Sequence, residues 1–294
     1  MATPQQQVAT TANRATKKPR ILFITDSMML HTGMAIGGLE IAARLHQTGK
    51  YEIASFGWFA HTGEARGLKW NFPWRQYTTS DHSKPYGHPH GWPKNPNWDT
   101  CPVTKIIKEF QPNIVIAIAD MWMADYLYEI PNRDKFKLIH EFPIDGIPVP
   151  TSWLKNIKRA DIPVVMTEFA KNAILAVDKY CNVEVNPRGL NTSIFFPQTL
   201  KKPKDLFRQR YMPAAVGRFV VGVVDRFQDR KQIGRAIESF RKFIDNGKHT
   251  DCDLYLHMDI NDSASIQQGK TLVGPDGMLK RYNLDGKVIF RKIY

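Results

Sequence analysis

The chain has no run of about eighteen consecutive apolar residues, which excludes a transmembrane helix on length. Its N-terminal segment, residues 1–18, has no apolar core of the kind a secretory signal needs. That segment is rich in Gln, Thr and Ala and reads as a disordered tail over residues 1–19. Arg14, Lys17 and Lys18 resemble the basic residues of a transit peptide, but an apolar helical face is missing. A cytoplasmic location is expected. Cysteine is scarce: Cys101, Cys181 and Cys252 are far apart, odd in number and without C-x-x-C spacing. Neither a zinc knuckle nor a disulfide framework is supported, and free thiols are expected. Acidic residues are outnumbered, 28 Asp and Glu against 41 Lys and Arg, giving a net charge of +13. Such a chain favours anionic partners: sugar nucleotides, phospholipid head groups or nucleic acid. The charge does not choose among them. The cations are dispersed, with denser runs at 155–159, 201–210 and 226–242, and a solvated basic surface accounts for them equally well.

What is present is ordinary globular composition, 43% hydrophobic and 23% charged over 294 residues, a length that favours two domains. Residues 20–26 form an apolar run ending at Asp26. A turn with Gly33, Gly37 and Gly38 follows, then Leu39, Ala42, Ala43 and Leu45 at helical spacing, then a second strand over 52–58. This order is a βαβ unit. Residues 59–100 break the rhythm with Pro, Gly, His and Trp, and read as an ordered excursion. The tryptophans there and at its edge, Trp58, Trp70, Trp74, Trp92 and Trp98, suit either core filling or stacking on rings. His82, His88 and His90 lack the tight spacing of a structural metal site, and no metal is expected. Alternation resumes with a helix face at Val103, Ile106, Ile107 and Phe110. Strands follow at 113–119, 137–140, 162–167 and 183–185, with helices between them. Repeated β then α implies a mostly parallel sheet covered by helices on both faces.

The basic, proline-containing stretch 199–213 reads as a linker. Beyond it come a strand at 219–224, a helix with Ile233, Ala236, Ile237, Phe240 and Ile244 on one face, and strands at 253–257 and 287–290. Three strands fall short of the usual sheet of about five to six. The second domain is therefore expected to be incomplete, or completed by a partner chain.

Ligands of parallel sheets bind beyond the carboxyl ends of the strands. That rule selects Asp26 with the glycine turn, Asp120, residues 140–145, Glu168, and Asp225 with Arg226 and Lys231. Arg226 directly after a buried strand, with Lys231 at the start of the next helix, suits a diphosphate gaining charge as its bond to a sugar breaks. A solvated basic turn is the plainer alternative.

Four segments carry a family resemblance. Val221-Gly-Val-Val-Asp-Arg-Phe-Gln-Asp-Arg-Lys231 followed by Ala236-Ile-Glu-Ser-Phe240 resembles the opening of the donor domain of family 4 (group 1) glycosyltransferases. Asn186-Pro-Arg-Gly-Leu-Asn-Thr-Ser-Ile-Phe-Phe-Pro197 resembles that family's linker, with Asn191 where Asp is usual. Phe142-Pro-Ile-Asp-Gly-Ile-Pro-Val-Pro-Thr-Ser-Trp153 and His31-Thr-Gly33 are similar to a phage and archaeal branch. The resemblance implies an α/β fold of the GT-B type, with two Rossmann-like parallel-sheet domains: 20–198 on the acceptor side, and a partial 214–294 that binds the nucleotide sugar. It implies a retaining, metal-independent transfer with a nucleotide-diphosphate sugar as co-substrate and no other cofactor. Arg226 and Lys231 would hold the diphosphate, and Gly33, Gly37 and Gly38 would form a loop near donor or acceptor. His140 and Asp145 would be the catalytic candidates, and a core histidine is the plainer reading of His140. The acceptor is left open between glycan, lipid, protein and nucleic acid. The family's later Glu-x7-Glu segment lies beyond residue 294, so a truncated donor half is expected. A non-catalytic binding protein built on the same fold and a DNA-modifying transferase are the alternatives.

Overall fold

The computed structural model describes residues 17–58, 71–78, 98–99, 101–197, 201–247, 251–259, 269–273, 277–284 and 288–291. The chain divides into two compact units, Met1–Leu190 and Asn191–Tyr294.

The first unit runs β1 (Arg20–Asp26), α1 (Gly33–Gln47), β2 (Glu52–Trp58), β3 (Arg75–Thr78), α2 (Pro102–Phe110), β4 (Ile114–Ile118), α3 (Met121–Ala124), β5 (Lys137–Phe142), α4 (Thr151–Arg159), β6 (Ile162–Val165), α5 (Glu168–Val177) and β7 (Glu184–Val185). Every paired strand is parallel, in the order β3-β2-β1-β4-β5-β6-β7. The five inner residues of β1 are all buried, as a strand with helices on both faces requires. Phe23 sits between Ser55 of β2 and Ile116 of β4, so the sheet reverses direction of growth at β1. A crevice opens at such a switch point, beyond Asp26 and Ile118.

Local chemistry sets the helix ends. Pro102 occupies the first position of α2, where its missing N–H is not needed. Val103, Ile106 and Phe110 are buried, and Gln111 closes the helix in the left-handed region at φ 49°. Thr167 caps α5, its hydroxyl accepting from the Ala170 N–H at 3.1 Å.

The stretch expected to be an ordered excursion contains β3, which adds to β2 along Ala54–Gly57. Trp74, next to it, is buried and donates its indole N–H to Ser55 Oγ at 3.2 Å, and Trp58 is also core. Two of the tryptophans considered as ring platforms are thus packing residues. Trp70, Trp92, His82, His88 and His90 lie outside the described residues.

The second unit contains α6 (Lys201–Tyr211), β8 (Phe219–Val224), α7 (Ile233–Asp245), β9 (Cys252–His257), α8 (Met278–Arg281) and β10 (Val288–Arg291). Its strands are parallel in the order β10-β9-β8. Ile233, Ile237, Phe240 and Ile244 of α7 recur at three- and four-residue spacing and pack with Leu254 and Leu256 of β9. The stretch read as a linker is thus mostly the helix α6. Pro203 stands in its first turn, where proline is tolerated, and Arg208 near its end donates to the carbonyl of Arg218 at 2.8 Å. Cys101, Cys181 and Cys252 are free and buried. Among the described residues no helix is long and apolar enough to cross a membrane.

Candidate functional site

At the end of β1, burial raises the pKa of Asp26, and a hydrogen bond from the Thr32 hydroxyl at 2.6 Å opposes that rise. The same Thr32 oxygen accepts from the Ala35 N–H at 3.1 Å and caps α1. The cap starts the helix at Gly33, so Gly33, Gly37 and Gly38 belong to α1 rather than to a loop. Two of them lack a side chain for steric reasons. A Cβ on Gly38 would lie 2.9 Å from Thr25 Cγ2, where α1 rests on β1. A Cβ on Gly37 would lie 1.5 Å from Arg188 Nη1.

Arg188 is a residue that the sequence did not mark. It follows β7, and its Nη2 lies 2.8 Å from Oε1 of Glu141, whose side chain is only 5% exposed. The contact is an ion pair without hydrogen-bond geometry, since neither Glu141 Oε1 nor Arg188 Nη1 has a hydrogen-bond partner. Asn186 Nδ2 reaches the other carboxylate oxygen at 3.4 Å. Glu141 and Arg188 thus join the ends of β5 and β7 to the first turns of α1. The available signal was a carboxylate inside an apolar strand, which needs a cation from elsewhere in the chain.

His140 is fully buried. Its Nε2 lies 3.1 Å from the Ala119 carbonyl and its Nδ1 lies 2.7 Å from the Tyr128 hydroxyl. A carbonyl only accepts, so Nε2 carries the proton and Nδ1 accepts from Tyr128. Burial pushes the imidazole pKa down to about 4, against a weaker opposing effect of the Ala119 carbonyl, so the ring is neutral at pH 7. Both nitrogens are engaged inside the core, one by the Ala119 carbonyl and one by the Tyr128 hydroxyl. Alternation along β5 turns this side chain inward.

Asp145 is placed differently. It is exposed on the segment between β5 and α4, at an open cavity of about 360 Å³. Asp120, after β4, lines the same cavity with Trp122 of α3 and Trp153 of α4. His140 is thus a core residue and Asp145 a surface one.

In the second unit, Asp225 follows β8 and its carboxylate holds one backbone N–H and one side-chain cation. Oδ1 accepts from the Arg226 backbone N–H at 2.8 Å, and Oδ2 lies 2.9 Å from Lys231 Nζ. Burial would raise the Asp225 pKa, but the Lys231 ammonium and the Arg226 N–H outweigh it and hold the carboxyl below its ordinary value. Asp229–Lys231 is a 3-10 turn, and α7 starts two residues after Lys231, with Gln232 in the left-handed region and no side-chain cap. The first N–H groups of α7 thus follow directly on a turn carrying Arg226, Arg230 and Lys231.

No protein-family model matches the chain, and no curated protein matches it by sequence. Solved structures do. A glycosyltransferase from Rickettsia africae superposes with a TM-score of 0.62 at 17% identity, covering 94% of this chain and 69% of its own. Sucrose-phosphate synthase from Thermosynechococcus elongatus gives 0.61 at 16% identity, over 94% of this chain and 71% of its own. A UDP-forming α,α-trehalose-phosphate synthase from Burkholderia xenovorans gives 0.58 at 12% identity, over 95% and 74%. At these identities the likeness is one of fold: the chain is an α/β protein whose parallel-sheet units are those of the GT-B glycosyltransferase architecture.

Proposed function

We propose that this protein transfers a sugar from a nucleotide-diphosphate donor to an acceptor hydroxyl. The observation that carries the reading is the turn after β8, where Asp225 accepts from the Arg226 backbone N–H and pairs with the Lys231 ammonium ahead of the amino end of α7. A diphosphate placed there meets two side-chain cations and the amino end of a helix that has no side-chain cap. Lys231 would exchange Asp225 for the donor, and Arg226, exposed at the same turn, would reach a second phosphate oxygen. The fold shared with glycosyltransferases supports the same reading.

In the reaction, the acceptor oxygen forms a bond to the anomeric carbon as the bond from that carbon to the diphosphate breaks. The electron pair leaves with the nucleoside diphosphate, and the acceptor's proton passes to the departing phosphate oxygen. Charge develops on the leaving group, so fixed cations there lower the barrier more than they tighten ground-state binding. Arg226 and Lys231 fill the charge-neutralising role, so the reading needs neither a metal nor another cofactor. The sequence resemblance adds retention of configuration at the anomeric carbon.

The test is a thermal-unfolding series with UDP, GDP and their sugars. A donor at about a hundred times its Kd stabilises the protein by about 2.7 kcal/mol. That shift is expected for at least one nucleotide and is expected to vanish in Arg226→Ala and Lys231→Ala. An unchanged melting temperature across the series would overturn the reading.

A further inference from the structure

A cavity beyond the ends of β4 and β5 is lined by apolar, aromatic and acidic residues. Ten described residues line its 360 Å³, a volume within the usual range of small-molecule sites, about 300–1,000 Å³. They include two tryptophans and two aspartates, and no lysine, arginine or histidine. Trp122 is 43% exposed although large apolar side chains are ordinarily covered, and Trp153 is partly buried on the neighbouring helix. Asp145 is exposed at the cavity, and Asp120 shares it.

We infer that this cavity binds a neutral carbohydrate, as the acceptor of the transfer. A sugar ring offers an apolar C–H face to an indole and a rim of hydroxyls to carboxylates, each of which accepts several hydrogen bonds. Phosphorylated sugars and nucleic acid meet the Asp145 carboxylate there and no cation among the described lining residues. A cationic ligand is opposed by the field of a chain of net charge +13. A lipid tail would bury the Asp145 carboxylate without satisfying it. The neutral polyol is the class that none of these terms penalises. Trp122 supplies the platform, Trp153 the second wall, and Asp145 orients a hydroxyl. Naming this ligand the acceptor rests on the glycosyl-transfer reading, whereas the binding of a sugar here does not.

The test uses the full chain and saturation-transfer NMR, with intrinsic tryptophan fluorescence giving the Kd. The probes are the methyl glycosides of glucose, mannose and galactose, glucose 6-phosphate, and Nα-acetyl-lysine methylamide. At least one methyl glycoside is expected to show transfer strongest at ring C–H protons and to bind more tightly than the other two classes. Trp122→Ala is expected to weaken it about tenfold, the scale of one lost aromatic stack. Trp122→Phe, which keeps a flat ring, is expected to recover most of the loss. Both variants are expected to keep the wild-type melting shift with the nucleotide, which reports folding and an intact donor site. Tighter binding of the phosphate or the lysine derivative would overturn the inference. So would the absence of transfer to all three glycosides. A nucleotide shift without glycoside binding defeats this inference alone, and glycoside binding without any nucleotide shift defeats only the donor reading.

Discussion

Replacing Gly37 by alanine sets two effects of opposite sign against each other. Gly37 lies in the interior of α1, where alanine is intrinsically better than glycine by about 1 kcal/mol. The new Cβ would, however, stand 1.5 Å from Arg188 Nη1 and 2.8 Å from its Cζ. The guanidinium is the end of a flexible chain, so it moves and the helix does not. Moving draws it off Glu141, which then keeps a buried carboxylate without its cation. Losing one partner of a fully buried pair costs about 3–5 kcal/mol. Arg188 is 28% exposed and can retain part of the contact, so a loss of about 2–3 kcal/mol applies here. The net expectation is destabilisation by about 1–2 kcal/mol, once the helix-propensity gain is subtracted. In an Arg188→Ala background the obstacle is gone, and the same Gly37→Ala change should stabilise by about 1 kcal/mol. Urea unfolding of the four proteins of this cycle, followed by circular dichroism at constant m, measures both values and their coupling. The same sign in both backgrounds, or a stabilised Gly37→Ala single variant, would refute the assignment of Gly37 to Arg188.

Further outcomes follow from other contacts. His140 has a folded pKa of about 4 against an ordinary 6.5, so the unfolded chain takes up its proton first as pH falls. Its contribution is fully present above pH 6.5 and is lost on descent toward pH 4, by about 2 kcal/mol between about pH 7.5 and about pH 5. Urea midpoints give the loss, and imidazole nitrogen NMR should show a neutral ring at about pH 5, protonated on Nε2; a ring titrating near the ordinary value of about 6.5 would contradict the buried placement. Gly57→Ala would bring a Cβ to 2.4 Å from Ser27 Cα, and the backbone there is held by the Ser27 N–H donating to the Trp58 carbonyl at 2.7 Å. A loss of about 2–3 kcal/mol is expected in the urea midpoint, and a change below about 0.5 kcal/mol would count against that close approach.

The residues of β1, β4 and α7 announce their structure because their signals are local. A continuous apolar run has to be a strand covered on both faces, and Ile233, Ile237, Phe240 and Ile244 have to share one side of a helix. The alternation of such elements was enough to imply a parallel α/β sheet, and the carboxyl ends of its strands were enough to select Asp145, Arg226 and Lys231. Edge strand β3 was not legible, because its identity depends on pairing with β2 rather than on its own four residues. Helix α6 hid behind lysines and prolines that suit a linker equally well.

At the site, short-range pattern determined which residues stand at strand ends, but not which way they face. His140 and Glu141 are adjacent in sequence. Only the assembled sheet closes the first between Tyr128 and Ala119 and delivers the second to Arg188. Gly37 reads as loop flexibility until a guanidinium from beyond β7 is found against it; that arginine also touches Met34, 154 residues away. The cavity likewise gathers Trp122 and Trp153 from two helices, with Asp120 and Asp145 from two strand ends. Backbone preference and hydrophobic period act over a few residues and were sufficient for the elements other than β3 and α6. Charge pairing, close approach and enclosure act between elements, so only the tertiary structure could decide them.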